Sequence, residues 1–267
     1  MSAPRRVWWG EFRTTEFEGL DPLETIALLP IAATEQHGPH LGCGTDAIIA
    51  AGMLDTLIPL LPADFDLRIL PIQAVGKSNE HLHAPGTLTI PATVLIEHWL
   101  ALGRSVARAG IRKLAIVNSH GGNEEVMGIV ARELRVELGM LVAKTSWSRF
   151  GKPDGLFSEA ESRYGIHAGD AETSLMLAFR PDAVDMDRAE DFSSTVEEDE
   201  RRFALLRATG QHAYAWIASD LNPSGAVGEA SRGTAEKGRR LAEHQARGLL
   251  TLLDDLRRAP LPGATRV

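Results

Sequence analysis

The 267-residue chain has a single cysteine, Cys43, so no internal disulfide can staple it. No helix start or neighbouring base stands beside Cys43, which therefore reads as a small buried residue rather than a nucleophilic thiol. No apolar stretch reaches the ~18 residues of a membrane span. The opening MSAPRRVWWGEF lacks the apolar run of a signal peptide. A cytoplasmic protein with no membrane partner is expected. Runs of Lys or Arg are missing and the net charge is −8, which argues against nucleic acid as a partner. There is no internal repeat, no coiled-coil heptad and no long charged tail of the kind a scaffold subunit carries. The NSHGGNEE loop (118–125) carries no GKS/GKT and matches no GxGxxG, so it does not read as a phosphate loop.

What is present is apolar material for a substantial core, 44% of residues, in a length that suits one large domain or two small ones. TIALLPIAA (25–33), LRILPIQA (67–74), KLAIVN (113–118) and MLVAKTS (140–146) are continuous apolar runs, as expected of strands buried on both faces. Pro30 and Pro71 predict bulges or strand ends. Helical spacing covers 46–61, 91–109, 123–138, 170–179 and about 231–257, with Pro91 suited to a first turn and Asn123 to an N-cap. The acidic stretch 185–202 reads as a surface excursion. Alternating strands and helices predict an α/β fold, a three-layer α/β/α sandwich with a mostly parallel central sheet. Ligands of such folds gather at the carboxyl ends of the strands.

Three polar motifs fall just after predicted strands or at helix starts. In TEQHGPHLGCGTD (34–46), Glu35 and His37 sit two apart on extended chain, so both point to one side. Asp46 arrives at the next helix start, where it is either an N-cap or a ligand. In NSHGGNEE (118–125), His120 follows a buried strand. Gly121 and Gly122 then let backbone approach a ligand and offer N–H groups to developing negative charge. In HAGDAETSLML (167–177), His167 and Asp170 precede Glu172 at a helix start. If Glu35, His37, Asp46, His120 and Glu172 meet, three carboxylates against two divalent cations leave one positive charge, which one hydroxide neutralises. That balance suits a dinuclear hydrolytic site. Mixed N/O ligands favour Zn, Mn or Fe over Mg alone.

EQHGPHL…GTD, NSHGGN, HAGDAETSLML, GKSNEHLHAPGTLTI (76–90) and NPSGAVG…TAEKGRR (222–240) together resemble the creatininase family of metal-dependent amidohydrolases. The resemblance spans nearly the whole chain and implies one creatininase-like hydrolase domain over 1–267. It further implies an α/β sandwich, usually a homohexamer, with two metals at the strand ends. Carried over by motif, Glu35, Asp46 and His120 would hold one metal and His37, Asp46 and Glu172 the other, with Asp46 bridging. His167 would pass protons to the leaving nitrogen. Ser78, Glu80 and His81 would border the substrate, with the Gly121 and Gly122 amides beside it. Asp170 occupies a position that the motif does not fix. Two departures weaken creatinine as the substrate. Gly122 stands where creatinine-hydrolysing members have a metal-ligating Glu, and ESRYGIHAG lacks their Trp shortly before the active-site His. Ala84 before Pro85 alters the PGT segment as well.

The expected function is cleavage of a cyclic or linear amide C–N bond of a small molecule by a metal-bridging hydroxide, with His167 as proton donor. Ring opening of a sugar- or inositol-derived ketone or lactone on the same metals is the alternative reaction. A member that binds metal or ligand without turnover is the non-enzymatic one.

Overall fold

The computed structural model describes residues 5–263. Four parallel strands form the central sheet in the order β2-β1-β3-β4: β1 (Ile26–Ile31), β2 (Leu67–Ile69), β3 (Lys113–Asn118) and β4 (Leu141–Ser146). In the register, Ile26 lies opposite both Leu67 and Lys113, and Lys113 lies opposite Leu141. The main helices in chain order are α1 (Thr45–Leu57), α2 (Ala92–Arg108), α3 (Glu124–Leu138), α4 (Glu159–Tyr164), α5 (Asp170–Phe179), α6 (Thr195–Arg202), α7 (Ala218–Leu221) and α8 (Ala235–Arg258). A small antiparallel pair, β5 (Asp191–Phe192) with β6 (Gly228–Glu229), lies outside the main sheet.

The continuous apolar runs have a simple cause. Ile26, Leu28 and Val117 face a core shared with α1, α5 and α8. Their neighbours Ala27, Leu29, Ile31 and Ile116 face a second core shared with α2 and α3. Both sheet faces are covered, so no strand residue of β1 or β3 is left for water. Each fully buried Leu or Ile contributes about 1.5–3 kcal/mol. The result is the three-layer α/β sandwich expected from the sequence.

Four local expectations need adjustment. Pro30 lies inside β1 rather than at its end or in a bulge. Its carbonyl accepts from Gln73 N, so the N–H it lacks would face the β2 edge, where the ladder is already broken at Pro71. The first long helix stops at Leu57, and Pro59 sits in the 3-10 turn that follows. Asn123 precedes α3 without capping it. Its side chain instead accepts from Lys77 N at 2.9 Å and donates to Ala32 O at 3.1 Å, tying two loops together. The 185–202 excursion carries a helix of its own, α6, capped by Ser194 Oγ.

Asp170, fully buried at the start of α5, accepts from Lys237 Nζ of α8 at 2.5 Å and from Ser174 Oγ at 2.9 Å. Lys237→Ala would strand that carboxylate in the core. We expect a loss of about 3 kcal/mol, read as a lowered urea midpoint with an unchanged slope.

Candidate metal centre

The site lies at the carboxyl ends of the strands, and four separate segments build it. Glu35 and His37 follow β1, Asp46 opens α1, His120 follows β3, and His167 and Glu172 flank the entry to α5. Glu35, His37 and Asp46 are 1% exposed or less. Glu35 Oε1 lies 3.0 Å from His120 Nδ1, and Asp46 Oδ2 lies 3.5 Å from the same nitrogen. The other Asp46 oxygen, Oδ1, faces His37 Nε2 at 3.4 Å, with Glu172 Oε2 at 3.9 Å from that nitrogen. Asp46 therefore presents one oxygen to each imidazole.

Backbone carbonyls orient all three site histidines. Glu35 O lies 3.0 Å from His37 Nδ1, Gln36 O lies 2.7 Å from His167 Nε2, and Lys77 O lies 2.8 Å from His120 Nε2. A carbonyl only accepts, so each of these nitrogens carries the hydrogen. In the neutral ring the other nitrogen then turns its lone pair toward the carboxylates: His37 Nε2, His120 Nδ1 and His167 Nδ1. This is the hydrogen-bonded support that metal-ligating imidazoles require.

His167 Nδ1 stands 3.7 Å from Glu35 Oε1. Burial and the nearby His37 hold the His167 ring below the usual imidazole range, so it is neutral and able to take up a proton. The backbone around it is strongly set. Ala168, fully buried, adopts the left-handed region (φ 55°) and donates its N–H to Glu172 Oε2 at 2.6 Å. Such a conformation costs a non-glycine residue about 1–3 kcal/mol. The Glu161 carboxylate, raised by burial, accepts from Glu229 N at 2.7 Å and Ala171 N at 3.2 Å, fastening β6 to the start of α5.

The residues expected to border the substrate are placed as follows. Ser78 Oγ donates to Glu35 Oε2 and so steadies that carboxylate. His81 accepts from Gln36 Nε2 at 2.7 Å on Nδ1, leaving Nε2 3.5 Å from Glu35 Oε1. Its ring centroid is 4.4 Å from that of His167. Glu80 Oε1 lies 3.4 Å from His120 Nε2. Gly121 lines a cavity of about 250 Å³ that opens beside His120 and Glu172, walled by Trp147, Leu175 and Gln245. Gly122 packs against Glu80. His40, the remaining histidine of the first motif, turns away to Thr173 Oγ1 at 2.9 Å. Gln36, the Lys77 carbonyl and Trp147 were missed from sequence; a backbone carbonyl carries no side-chain signal, and Trp147 resembles any core aromatic.

Electrostatics show what the cluster lacks. Burial penalises the His37 imidazolium, yet Asp46, Glu172 and Glu35 hold it up to about 10. The same contest, led by Glu35, raises His120 well above the imidazole range. Burial pushes Asp46 up to about 6. Glu35 Oε1, His37 Nε2 and Asp46 Oδ2 are buried without a hydrogen-bond partner. Orphaned atoms of this kind cost about 1–3 kcal/mol each unless something pairs them. Ligand atoms of His37, Asp46 and Glu172 lie within 4.8 Å of one another, as do those of Glu35, His37 and His167, and of Glu35, Glu80 and His120. The donor set fits divalent cations.

The family model for creatininase, creatinine amidohydrolase, matches residues 10–253. The chain belongs to the creatininase family. That membership places it among hydrolases of carbon–nitrogen bonds. The mycofactocin precursor peptide peptidase of Mycobacterium ulcerans is 31% identical over 87% of this chain and 86% of its own length. The Mycolicibacterium smegmatis protein of the same name is 35% identical, over 64% of each chain. Among solved structures, a creatinine amidohydrolase (creatininase) superposes with TM-score 0.71 at 25% identity, covering 95% of this chain and 99% of that one. Among the described residues, no helix is long and apolar enough to cross a membrane.

Proposed function

We propose that this creatininase-family protein is a dinuclear metal-dependent amidohydrolase that cleaves an amide C–N bond of a small molecule or short peptide. The observation that carries the reading is that Glu35 Oε1, His37 Nε2 and Asp46 Oδ2 are all buried and unpaired, in a cluster where Asp46 turns one oxygen to His37 and the other to His120. Glu35, Asp46 and His120 would hold one ion. His37, Asp46 and Glu172 would hold the other. Zn, Mn or Fe suits this donor set. Bound there, the ions lower the pKa of water and polarise a carbonyl.

The chain's own groups do the rest. His167, neutral and held by Gln36 O, presents Nδ1 to the site; it takes the proton of the attacking water and returns it to the departing nitrogen. The Gly121 and Gly122 amides would donate to the carbonyl oxygen as it gains charge. Trp147 and Leu175 supply apolar wall to the cavity. The peptidase relatives widen the substrate class from a ring amide to a linear one. The proposal includes the cytoplasmic homohexamer that the family resemblance implies.

The direct test is elemental analysis of the purified protein, then a panel of amides, lactams and short peptides with detection of released amine. Amine release supports the reading. Carbon-only products from a sugar-like ketone or lactone would transfer it to ring opening.

Metal uptake should be proton-linked. Without metal, His37 and His120 carry protons at neutral pH, because their folded-state values are raised. Those protons must leave before Zn or Mn binds. Apparent affinity should therefore weaken from pH 8 to pH 6, by ~10-fold per pH unit for each proton released. Calorimetry in buffers of different ionisation enthalpy measures that release. Activity should vanish on chelation and return with the ion; activity that survives exhaustive chelation contradicts the assignment.

A further inference from the structure

Glu80 sits on a short turn, Asn79–His81, that the family resemblance would put beside the substrate. Its flanks are well tethered: Lys77 N donates to Asn123 Oδ1 at 2.9 Å, Ser78 N donates to Thr89 Oγ1 at 2.8 Å, and Ser78 Oγ reaches Glu35. From this turn the Glu80 side chain, 16% exposed, points inward to His120.

Three inward-facing carboxylates outside the centre are satisfied. Asp170 has Lys237, Glu161 has two backbone amides, and Glu124 has Ser146 and Arg149. Among the described residues, the one basic partner of Glu80 is His120, itself turned toward Lys77 O. A ligand oxygen of Glu80 lies within 4.8 Å of one from Glu35 and of a His120 ring nitrogen. Within that group, Glu35 Oε1 is buried and unpaired.

The space that admits Glu80 comes from Gly122. A Cβ there would overlap Glu80 Oε1 and the Lys77 carbonyl, and would come to 2.5 Å from His120 Nε2. Under 3 Å, something must move. The Glu80 carboxylate is the free end of a flexible side chain, whereas the Lys77 carbonyl is backbone and His120 is hydrogen-bonded to it. A side chain at 122 would therefore displace the inward Glu80 first, and would press on the Lys77 carbonyl and His120 as well.

We propose that Glu80 is a metal ligand, a fourth protein donor beside Glu35, Asp46 and His120 for the ion on that side, and that Gly122 is the residue that lets it in. This rests on the two-ion reading above. It makes four carboxylates, balancing two divalent cations without any bound anion.

The test measures metal content by mass spectrometry, and binding of Mn²⁺ or Zn²⁺ by calorimetry, for the wild type, Glu80→Gln, Gly122→Ala and the double variant. Loss of Glu80 should weaken one ion by at least ~10-fold and leave the other in place. Gly122→Ala removes no donor, yet it should reproduce that loss by displacing Glu80. The double variant should be no worse than either single one. Melting in excess chelator should be the same for wild type and Glu80→Gln, which separates ligation from folding. Two ions retained at wild-type affinity in Glu80→Gln, with KM alone raised, overturns the inference and returns Glu80 to the substrate. A wild-type protein that takes up no ion overturns the two-ion reading and this inference with it.

Discussion

Asp46→Asn is expected to lower kcat/KM by ~10³-fold or more and to cut metal content below one ion per chain. The two Asp46 oxygens face different imidazoles, Oδ1 toward His37 and Oδ2 toward His120. An amide offers one oxygen of weaker charge and turns an N–H₂ toward the other side. Metal stabilisation of a hydrolytic transition state is worth several kcal/mol, and 1.36 kcal/mol is a factor of ten in rate. The fold should persist. Burial raises the Asp46 pKa to about 6, above its unfolded value, so the charged form is disfavoured in the metal-free protein. That penalty grows as pH rises through this value, and a neutral isostere avoids it. Elemental analysis with a melting curve in chelator checks both halves. A fully loaded Asn variant would remove Asp46 from the bridging role.

His167→Gln should behave differently. The variant keeps every proposed ligand, so both ions should remain, while kcat falls by ~10²–10⁴-fold with KM little changed. The prediction depends on Nδ1 being the open nitrogen, since Nε2 is committed to Gln36 O. Glutamine fills the volume and still donates a hydrogen bond, but it titrates nowhere near neutrality. Loss of metal in this variant would instead make His167 a ligand, which its 3.7 Å approach to Glu35 and its grouping with Glu35 and His37 would then explain.

The sequence revealed most where chemistry and position coincide. The runs around Leu28 and Ile116 announced buried strands because both sheet faces are covered. Glu35, His37 and His120 then stood out as polar residues directly after them. Glu172 and Asp46 each had an ordinary reading at a helix start, and their neighbours in the motifs tipped the choice. What stayed illegible depends on tertiary register. Asn123 looks like a cap and acts as a tie between two loops. Pro30 looks like a strand end and is tolerated because its missing donor faces a gap in the ladder. The meeting of Glu80 with Gly122 joins residues 42 apart in the chain, and no local pattern encodes it.

The three site imidazoles are each held by a main-chain oxygen, those of Glu35, Gln36 and Lys77. No codon change at those positions can delete a peptide oxygen. The proton inventory of the centre is thus insulated from mutational drift at the very residues that set it. Alanine scanning would pass over this arrangement, and exposing it would take an ester in place of an amide or a shift of the loop itself.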